Sequence, residues 1–586
     1  MNILLFLIFE IIKIENIEEN KSSLSPYVEN QILIKLKENV NENEFFEKRK
    51  LKVLRKSSYG NFYTVFSEED INILIEKLKS EREVLYVQPN VRWYILDHEV
   101  KWIPNDPFLS YQWHFPKIRL FEAWNIEQGG KEEILIGVLD TGCAYEDFPV
   151  PQYERNEIHP SCTMYKRAPD FNLANFVPGY DFVHNDLHPN DDHGHGTFVS
   201  GTIIESTNNG IGVAGIAFNV TLMPIKVISS IGWGSTDWVT DGLYYAAEHG
   251  CKVVNMSIAS AQDPGPIFYE AIKYAHSKGV IMVAGAGNSG YGQPTFPAAY
   301  KEVIGVGATN SADSLTFYSN YGDTIDVVAP GGDLVDRDYN GFPDLVVQQT
   351  IGMRAIGFSK PKPDTFFYVG MGGTSMSTPH VTGVIALMLS HGIPTKNIRK
   401  ILRTYSKDLG SPGYDSIYGF GRIDAFSSLG GDDTVCPIIY NTTLWSDTNF
   451  PGPFPTWSVI KDLFGIKKKV LYFKFNTEPW DSVYACDSIL NKFLFLIPKV
   501  NGPTFVRYYI KAKDLPGNIS FDPEGAPTIT YGFFVNVSKI EEKLEVDNPK
   551  LLFYFDSAGR KIKKNVKRKG IYFIKGETKI KKIITF

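Results

Sequence analysis

Glu133-Ile134-Leu135-Ile136-Gly137-Val138-Leu139-Asp140 is an almost unbroken apolar run that ends in a carboxylate and is followed by Thr141-Gly142. Strict alternation would mark a strand with one wet face. A continuous run of this length, bounded by a turn, marks a strand covered on both faces, as in a parallel sheet. Runs of the same kind recur at 222–227, 251–257, 280–284 and 303–308, with helical patterns between them at 237–249 and 266–278. Strand and helix in alternation predict a doubly wound, three-layer α/β domain with a mostly parallel sheet over 104–428. Sites in such domains lie beyond the carboxyl ends of strands, where Asp140 stands.

The flanks differ. Residues 27–97 read as a small α+β unit. Strand patterns at 31–37, 51–54 and 61–66 precede a helix opened by the capping serine Ser67 and the acids Glu68, Glu69 and Asp70, with Ile71, Leu74, Ile75 and Leu78 at helical spacing. A last strand covers 84–90, and the order expected is that of a ferredoxin-like sandwich. Residues 436–586 carry many aromatics, Pro and Asn, and alternating runs such as 469–475 and 528–535 predict an all-β, sandwich-like region.

The 586 residues exceed one ordinary domain, and 43% hydrophobic with 22% charged residues is a globular composition. A net charge of −6 gives no basis for a nucleic-acid partner. The basic residues of 560–569 are interrupted by apolar ones and read as a solvated strand face. Five cysteines without C-x-x-C spacing are too few for a disulfide scaffold; Cys436 with Cys486, and less strongly Cys143 with Cys162, are the candidate pairs. No run reaches the roughly 18 apolar residues of a transmembrane segment. Residues 1–26 hold a leader-like apolar core at Met1–Phe9, but one without a basic start or a small-residue cleavage site, and interrupted by Glu10.

Three stretches carry chemistry. Gly372-Gly373-Thr374-Ser375-Met376-Ser377-Thr378-Pro379-His380 sets a serine between a glycine turn and an apolar run, with Pro379 expected in the first helical turn. Asp191-Asp192-His193-Gly194-His195-Gly196-Thr197 offers either a metal-ligand cluster or an imidazole presented at a helix start. Ala284-Gly285-Ala286-Gly287-Asn288 follows an apolar strand. Its Asn is either a turn residue or an oxyanion donor.

Taken in order, Asp140-Thr141-Gly142, His195-Gly196-Thr197 with Val199-Ser200-Gly201, Gly287-Asn288, and Gly373-Thr374-Ser375-Met376 resemble the four signature blocks of the subtilases, the subtilisin-like serine endopeptidases. Phe198 stands where a second histidine is usual, and Ser377 and Thr382 replace alanines. The resemblance implies an Asp140–His195–Ser375 triad, Asn288 as oxyanion donor, and protein or peptide substrates held by Ser257, Ala259, Ser260, Ala286 and Gly287. It implies calcium through three loops. The first has Asp106, Asn209, Ile211 and Val213, completed by Asp147 or Gln112. The second has Asp181, Asp186 and Asn190, with His184 in place of a carboxylate. The third has Asp336, Asp338, Asn340 and Asp344, whose oxygen donors recur at every second residue.

It also implies that 27–97 is a propeptide acting as intramolecular chaperone and inhibitor, cut between about Asn90 and Pro104, in a secreted or cell-surface protein. Residues 552–563 and 569–575 scan as strand, turn, strand; the Gly570-Ile571-Tyr572-Phe573 run resembles the C-terminal sorting domains of type IX secretion substrates, or the segment is a plain terminal hairpin. Two other readings stay open: a metal hydrolase using Asp191, Asp192, His193 and His195, and an adhesion protein in which the β-rich region does the work.

Overall fold

The computed structural model describes residues 12–13, 27–58, 60–69, 71–91, 100–338 and 340–537, with strands at 553–555, 561–562, 570–575 and 580–585. Apart from 12–13, the expected leader lies outside the described residues, as does the chain from 92 to 99 that contains most of the expected cleavage region. By contacts the chain forms two compact units: residues 1–440 with 459–469 and 511–521, and residues 441–458 with 470–510 and 522–586.

The first unit begins with β1 (Tyr27–Leu36), α1 (Glu42–Lys48), β2 (Lys52–Lys56), β3 (Tyr63–Phe66), α2 (Ile71–Lys79) and β4 (Val84–Val91). The sheet is antiparallel in the order β2-β3-β1-β4, the ferredoxin-like arrangement expected. Ile32 and Ile34, two residues apart on β1, and Leu74, Ile75 and Leu78 of α2 share one core with Phe45 and Phe46 of α1. One detail departs from expectation. α2 starts at Ile71, and the Ser67 hydroxyl instead accepts the Glu69 N–H at 3.0 Å in a local turn before the helix.

The α/β domain follows. β5 (Leu135–Asp140), α3 (His195–Ile204), β6 (Thr221–Lys226), α4 (Thr236–Glu248), β7 (Val253–Met256), α5 (Pro266–Ser277), β8 (Ile281–Gly285), β9 (Val303–Thr309) and β10 (Ile325–Pro330) come in chain order. They build a parallel sheet ordered Tyr180–Asp181, β6, β5, β7, β8, β9, β10. The unbroken apolar run of β5 is explained by two covered faces. Ile136 and Val138 join the core containing Phe198 and Val199 of α3; Leu139 joins the core containing Leu243 of α4 and Phe268 of α5. The chain leaves β5 to β6 on one side and then places β7 on the other. The carboxyl end of β5 is therefore a topological switch point, and Asp140 occupies it.

An antiparallel hairpin of β11 (Val346–Gly352) and β12 (Lys362–Met371), which the sequence pattern did not reveal, delivers the chain to α6 (Thr374–His391). β11 reads as polar because Gln348, Gln349 and Thr350 are buried for bonding, not solvation. Gln348 Nε2 donates to the Ala214 carbonyl at 3.2 Å, the Asp170 N–H donates to Gln349 Oε1 at 3.0 Å, and Thr350 Oγ1 donates to the Gly194 carbonyl at 2.6 Å. α6 is buried on nearly every face and joins the same core as α3 through Val381, Val384, Ile385 and Leu387. α7 (Thr395–Tyr405) follows it with a one-sided apolar stripe, Ile398, Ile401 and Leu402.

Strand pairing in the second unit is antiparallel: 470–473 with 481–484, 487–489 with 492–494, and 504–508 with 531–535. At the end of the chain Phe553–Phe555 and Gly570–Lys575 pair as the strand-turn-strand pattern predicts, with 561–562 and 580–585 on either side. Among the described residues the Cys143–Cys162 candidate pair is not formed. Cys143 and Cys162 are separately buried, and Cys436 and Cys486 are exposed. No described helix is long and apolar enough to cross a membrane.

Candidate active site

The end of β5 and the start of α3 are fastened to each other. Asp140, fully buried, accepts the Thr141 N–H at 2.8 Å and faces His195 Nδ1 at 2.7 Å through the same oxygen, Oδ1. The Thr141 hydroxyl accepts the Gly196 N–H at 2.8 Å and donates to Asp191 at 2.9 Å. A β-carbon on Gly196 would stand 2.1 Å from the Gly142 carbonyl oxygen, so only glycine lets the helix start approach this closely. Burial works against a charge on His195, but the adjoining Asp140 carboxylate more than offsets it and holds the imidazole pKa above its ordinary value.

Asp191 accepts from the N–H groups of His193, Gly194 and Thr197 and from the Thr141 and Thr197 hydroxyls. It is a loop brace with no oxygen to spare. Asp192 pairs instead with the buried Lys226 at 2.5 Å. The metal-hydrolase reading fails on this division, because its four residues face different partners. Among the described residues, they do not form a group able to hold a metal.

Pro379 corrects the sequence expectation. α6 starts at Thr374, so the proline lies in the second turn, where its missing N–H leaves the carbonyl of Ser375 without the usual helical donor. The Ser257 hydroxyl takes that place, donating to Ser375 O at 2.9 Å, while the Ser375 hydroxyl donates to Ser257 O at 3.0 Å. Ser257 is oriented in turn by Asn255, whose amide donates to it at 3.0 Å and accepts from Thr382 Oγ1 at 2.9 Å. Ser377 Oγ donates to the Ala329 carbonyl at 3.0 Å. The two hydroxyls that replace alanines are thus both satisfied.

Asn288 presents its amide by a similar arrangement. Its Oδ1 accepts the N–H and hydroxyl of Thr374, at 2.8 and 2.9 Å, which turns Nδ2 toward Gly373. A β-carbon on Gly373 would lie 3.4 Å from Asn288 Nδ2 and 3.7 Å from the Ser375 nitrogen. The missing side chain leaves open a space flanked by two N–H donors.

Asp140, His195, Ser375 and Asn288 line one cleft of about 820 Å³, together with Ser257, Ala259, Ser260 and Gly287. Ala286 does not line it. Its N–H is bound to the Val306 carbonyl and its own carbonyl to the Thr295 N–H, which extends the sheet and buries the methyl group. Sequence reasoning missed the wall made by 228–236, including the half-exposed Trp233 stacked on Trp238, and the contributions of Phe296 and Met353. None of these belongs to a recurring motif.

The cation loops resolve differently. In the first, Asp106 accepts the Asn208 N–H at 2.8 Å, but the second carboxylate is Asp170, which neither spacing nor motif had marked. Asp170 receives Asn209 Nδ2 at 2.8 Å and the Val213 N–H at 3.0 Å. Gln112 is spent on the Ala214 backbone, and Asp147 is exposed and paired with Lys166. Residues 145–168 separate Asp170 from the Asp140 block, and no motif of their own flags it. Burial raises the pKa of Asp106 to about 6 and of Asp170 to about 7, and no described Lys, Arg or His pairs with either. The oxygen donors of this cluster fit a hard cation.

In the second loop, Asp181, Asp186 and Asn190 do not converge. Asp181 Oδ2 faces His184 Nδ1 at 2.8 Å, Asp186 accepts from the Tyr153 hydroxyl at 2.7 Å, and Asn190 donates to Glu146 at 2.9 Å. In the third, Asp336, Asp338 and Asp344 come together as a group able to hold a metal. Asn340 stays beside them, its amide donating to Asp338 at 3.1 Å.

Residues 131–421 match the subtilase family, peptidase S8, and residues 14–90 match the N-terminal prodomain of fervidolysin. Thermitase of Thermoactinomyces vulgaris is 31% identical over 327 residues, 56% of this chain and 99% of thermitase. A thermophilic serine proteinase of a Bacillus species is 29% identical over 413 residues, 69% of this chain and 88% of that protein. A minor extracellular protease of Bacillus subtilis is 29% identical over 356 residues, 60% of this chain and 47% of that protein. With a thermitase-like domain behind a fervidolysin-like prodomain, the chain belongs to the subtilase family of serine endopeptidases and is made with an N-terminal prodomain.

Proposed function

We propose that the protein is a secreted endopeptidase that cleaves peptide bonds through Asp140, His195 and Ser375, with structural calcium. The observation that carries this reading is the 2.7 Å contact of Asp140 Oδ1 with His195 Nδ1 in the cleft that also holds Ser375. A serine hydroxyl is a weak nucleophile until a base takes its proton. His195 Nε2 is the ring atom left for that task, because Nδ1 faces Asp140. Asp140 fixes the tautomer and stabilises the imidazolium, which afterwards protonates the leaving amine.

In the resting geometry the Ser375 hydroxyl rests on the Ser257 carbonyl at 3.0 Å. Rotation about its Cα–Cβ bond toward His195 begins the reaction. The tetrahedral oxyanion then occupies the space beside Gly373, receiving Asn288 Nδ2–H and the Ser375 N–H. Ser257, Ala259, Ser260 and Gly287 hold the substrate backbone as an added strand, and the apolar wall of Ile231, Trp233, Phe296 and Met353 favours apolar side chains.

Asp106 and Asp170, braced by Asn209, would hold one calcium ion, and Asp336, Asp338 and Asp344 a second. In the first cluster the ion would supply the positive charge that the buried Asp106 and Asp170 carboxylates need. The prodomain keeps the enzyme inactive until it is cut away, and the zymogen form and the apolar leader suit export. The test is active-site labelling with a fluorophosphonate beside a peptidase assay. Wild type is expected to label and turn over, and Ser375→Ala to do neither while its melting temperature stays close to wild type. Peptidase activity in a folded Ser375→Ala protein would sink the assignment.

A further inference from the structure

The second loop lost its oxygen-only cation set, yet a different group converges beside it. Glu157, His184 and Asp192 each offer a ligand atom, all within 4.8 Å of one another. His184 Nε2 lies 3.4 Å from Glu157 Oε1, long for a hydrogen bond. Two ligands held at about 2.05 Å by a tetrahedral ion stand about 3.3 Å apart. Asp192 is fully buried, and its Oδ2 has no hydrogen-bond partner among the described residues.

Each ligand is also held from behind. Asp181 faces His184 Nδ1 at 2.8 Å, which leaves Nε2 as the ligating atom, and Asp181 is itself fixed by the N–H groups of Val183 and His184 at 2.7 and 2.9 Å. The Ser230 hydroxyl donates to Glu157 Oε2 at 2.7 Å, leaving Oε1 toward the histidine. Lys226 holds Asp192 Oδ1 at 2.5 Å. A carboxylate behind the imidazole and a hydrogen bond behind each carboxylate are the outer contacts that metal ligands require.

We propose that Glu157, His184 and Asp192 bind a zinc-class divalent ion, one imidazole nitrogen and two carboxylate oxygens from the protein with a fourth position for water. The nitrogen ligand and the small number of donors favour zinc over calcium, which takes six to eight oxygens. Glu157, whose side chain is 33% exposed, opens the site to solvent. Bound metal displaces a proton from His184 Nε2 and ties residues 157–184 to Asp192. From there Lys226 reaches the Thr141 carbonyl, 2.7 Å away, beside Asp140.

The test uses the full chain carrying Ser375→Ala, so that it does not digest itself. The protein is dialysed against zinc with calcium in large excess to occupy the oxygen-only clusters, and its metal content is then measured. About one zinc per chain is expected, with a rise in melting temperature on zinc addition. Adding Glu157→Gln or His184→Gln should abolish both effects. If the half-buried His184→Gln variant does not fold, Glu157→Gln at the solvent edge decides alone. Substoichiometric zinc in the parent, or zinc retained in full by folded Glu157→Gln, overturns the proposal.

Discussion

Gly373→Ala tests the placement of the oxyanion directly. An added β-carbon meets Asn288 Nδ2 at 3.4 Å, Met376 Sδ at 3.6 Å and the Ser375 nitrogen at 3.7 Å, all ordinary van der Waals distances. The residue's φ of 158° with ψ of 161°, however, lies in a region that glycine almost alone adopts, so alanine is strained there whatever the space. The methyl group thus meets no clash but carries backbone strain, and the stability loss should be about 1–3 kcal/mol.

Catalysis is different, because an oxyanion must sit about 2.7–3.1 Å from those same two nitrogens, where the methyl now stands. Loss of one such donor costs about a hundred- to a thousandfold in kcat, roughly 2.7–4 kcal/mol, a magnitude set by subtilisin and not by this geometry. Obstruction of both should cost at least the upper end of that range. KM should change far less, since the ground-state carbonyl makes weaker use of the site. The assay is steady-state hydrolysis of a chromogenic peptide by the processed variant, with a thermal melt as control. Wild-type kcat in Gly373→Ala would refute the placement of the oxyanion, and a collapse in melting temperature would refute the packing argument.

Pro379→Ala returns an N–H to the helix that competes with the Ser257 hydroxyl for the Ser375 carbonyl. The loss of about one net hydrogen bond, 0.5–1.5 kcal/mol, should lower kcat/KM by about two- to tenfold, as should Ser257→Ala. Wild-type rates in both variants would show that the pair is idle. The acid limb of kcat/KM should titrate above 6.5, the ordinary imidazole value, because Asp140 favours protonated His195 and only the neutral ring serves as base. Asp140→Asn should move that limb down and reduce kcat on the order of ten-thousandfold, and an unmoved limb would assign it to another group.

Calcium removal should matter more as pH rises. With folded pKa values of about 6 for Asp106 and about 7 for Asp170, raised from 3.8, the cation-free fold binds protons more tightly than the unfolded chain and loses stability as pH climbs through that window. A chelator should therefore lower the melting temperature more at about pH 8 than at about pH 5, and Asp170→Asn should blunt the difference. Equal shifts at both would exclude this cluster as the source.

Much of this protein is written in local sequence. The double-sided apolar run of β5 requires layers above and below it, and the period-two and period-3.6 patterns of 27–91 require a small sandwich. The four motif blocks bring together glycines and reactive residues whose spacing leaves few other uses. These are short-range properties, set by what one strand or one helix turn must do with its own side chains. What lies between elements distant in the chain was not legible there. Asp170 meets Asp106 at Asn209 although no sequence pattern links them, and β11 hides as a polar stretch because two amides and a hydroxyl serve three other loops. Ala286 belongs to the sheet and not to the cleft because Val306 and Thr295 claim its backbone. Pro379 shows both levels in one residue. The sequence alone determined that its N–H is missing, but only the tertiary structure, by placing Ser257 against the vacated carbonyl, decided what that absence is for.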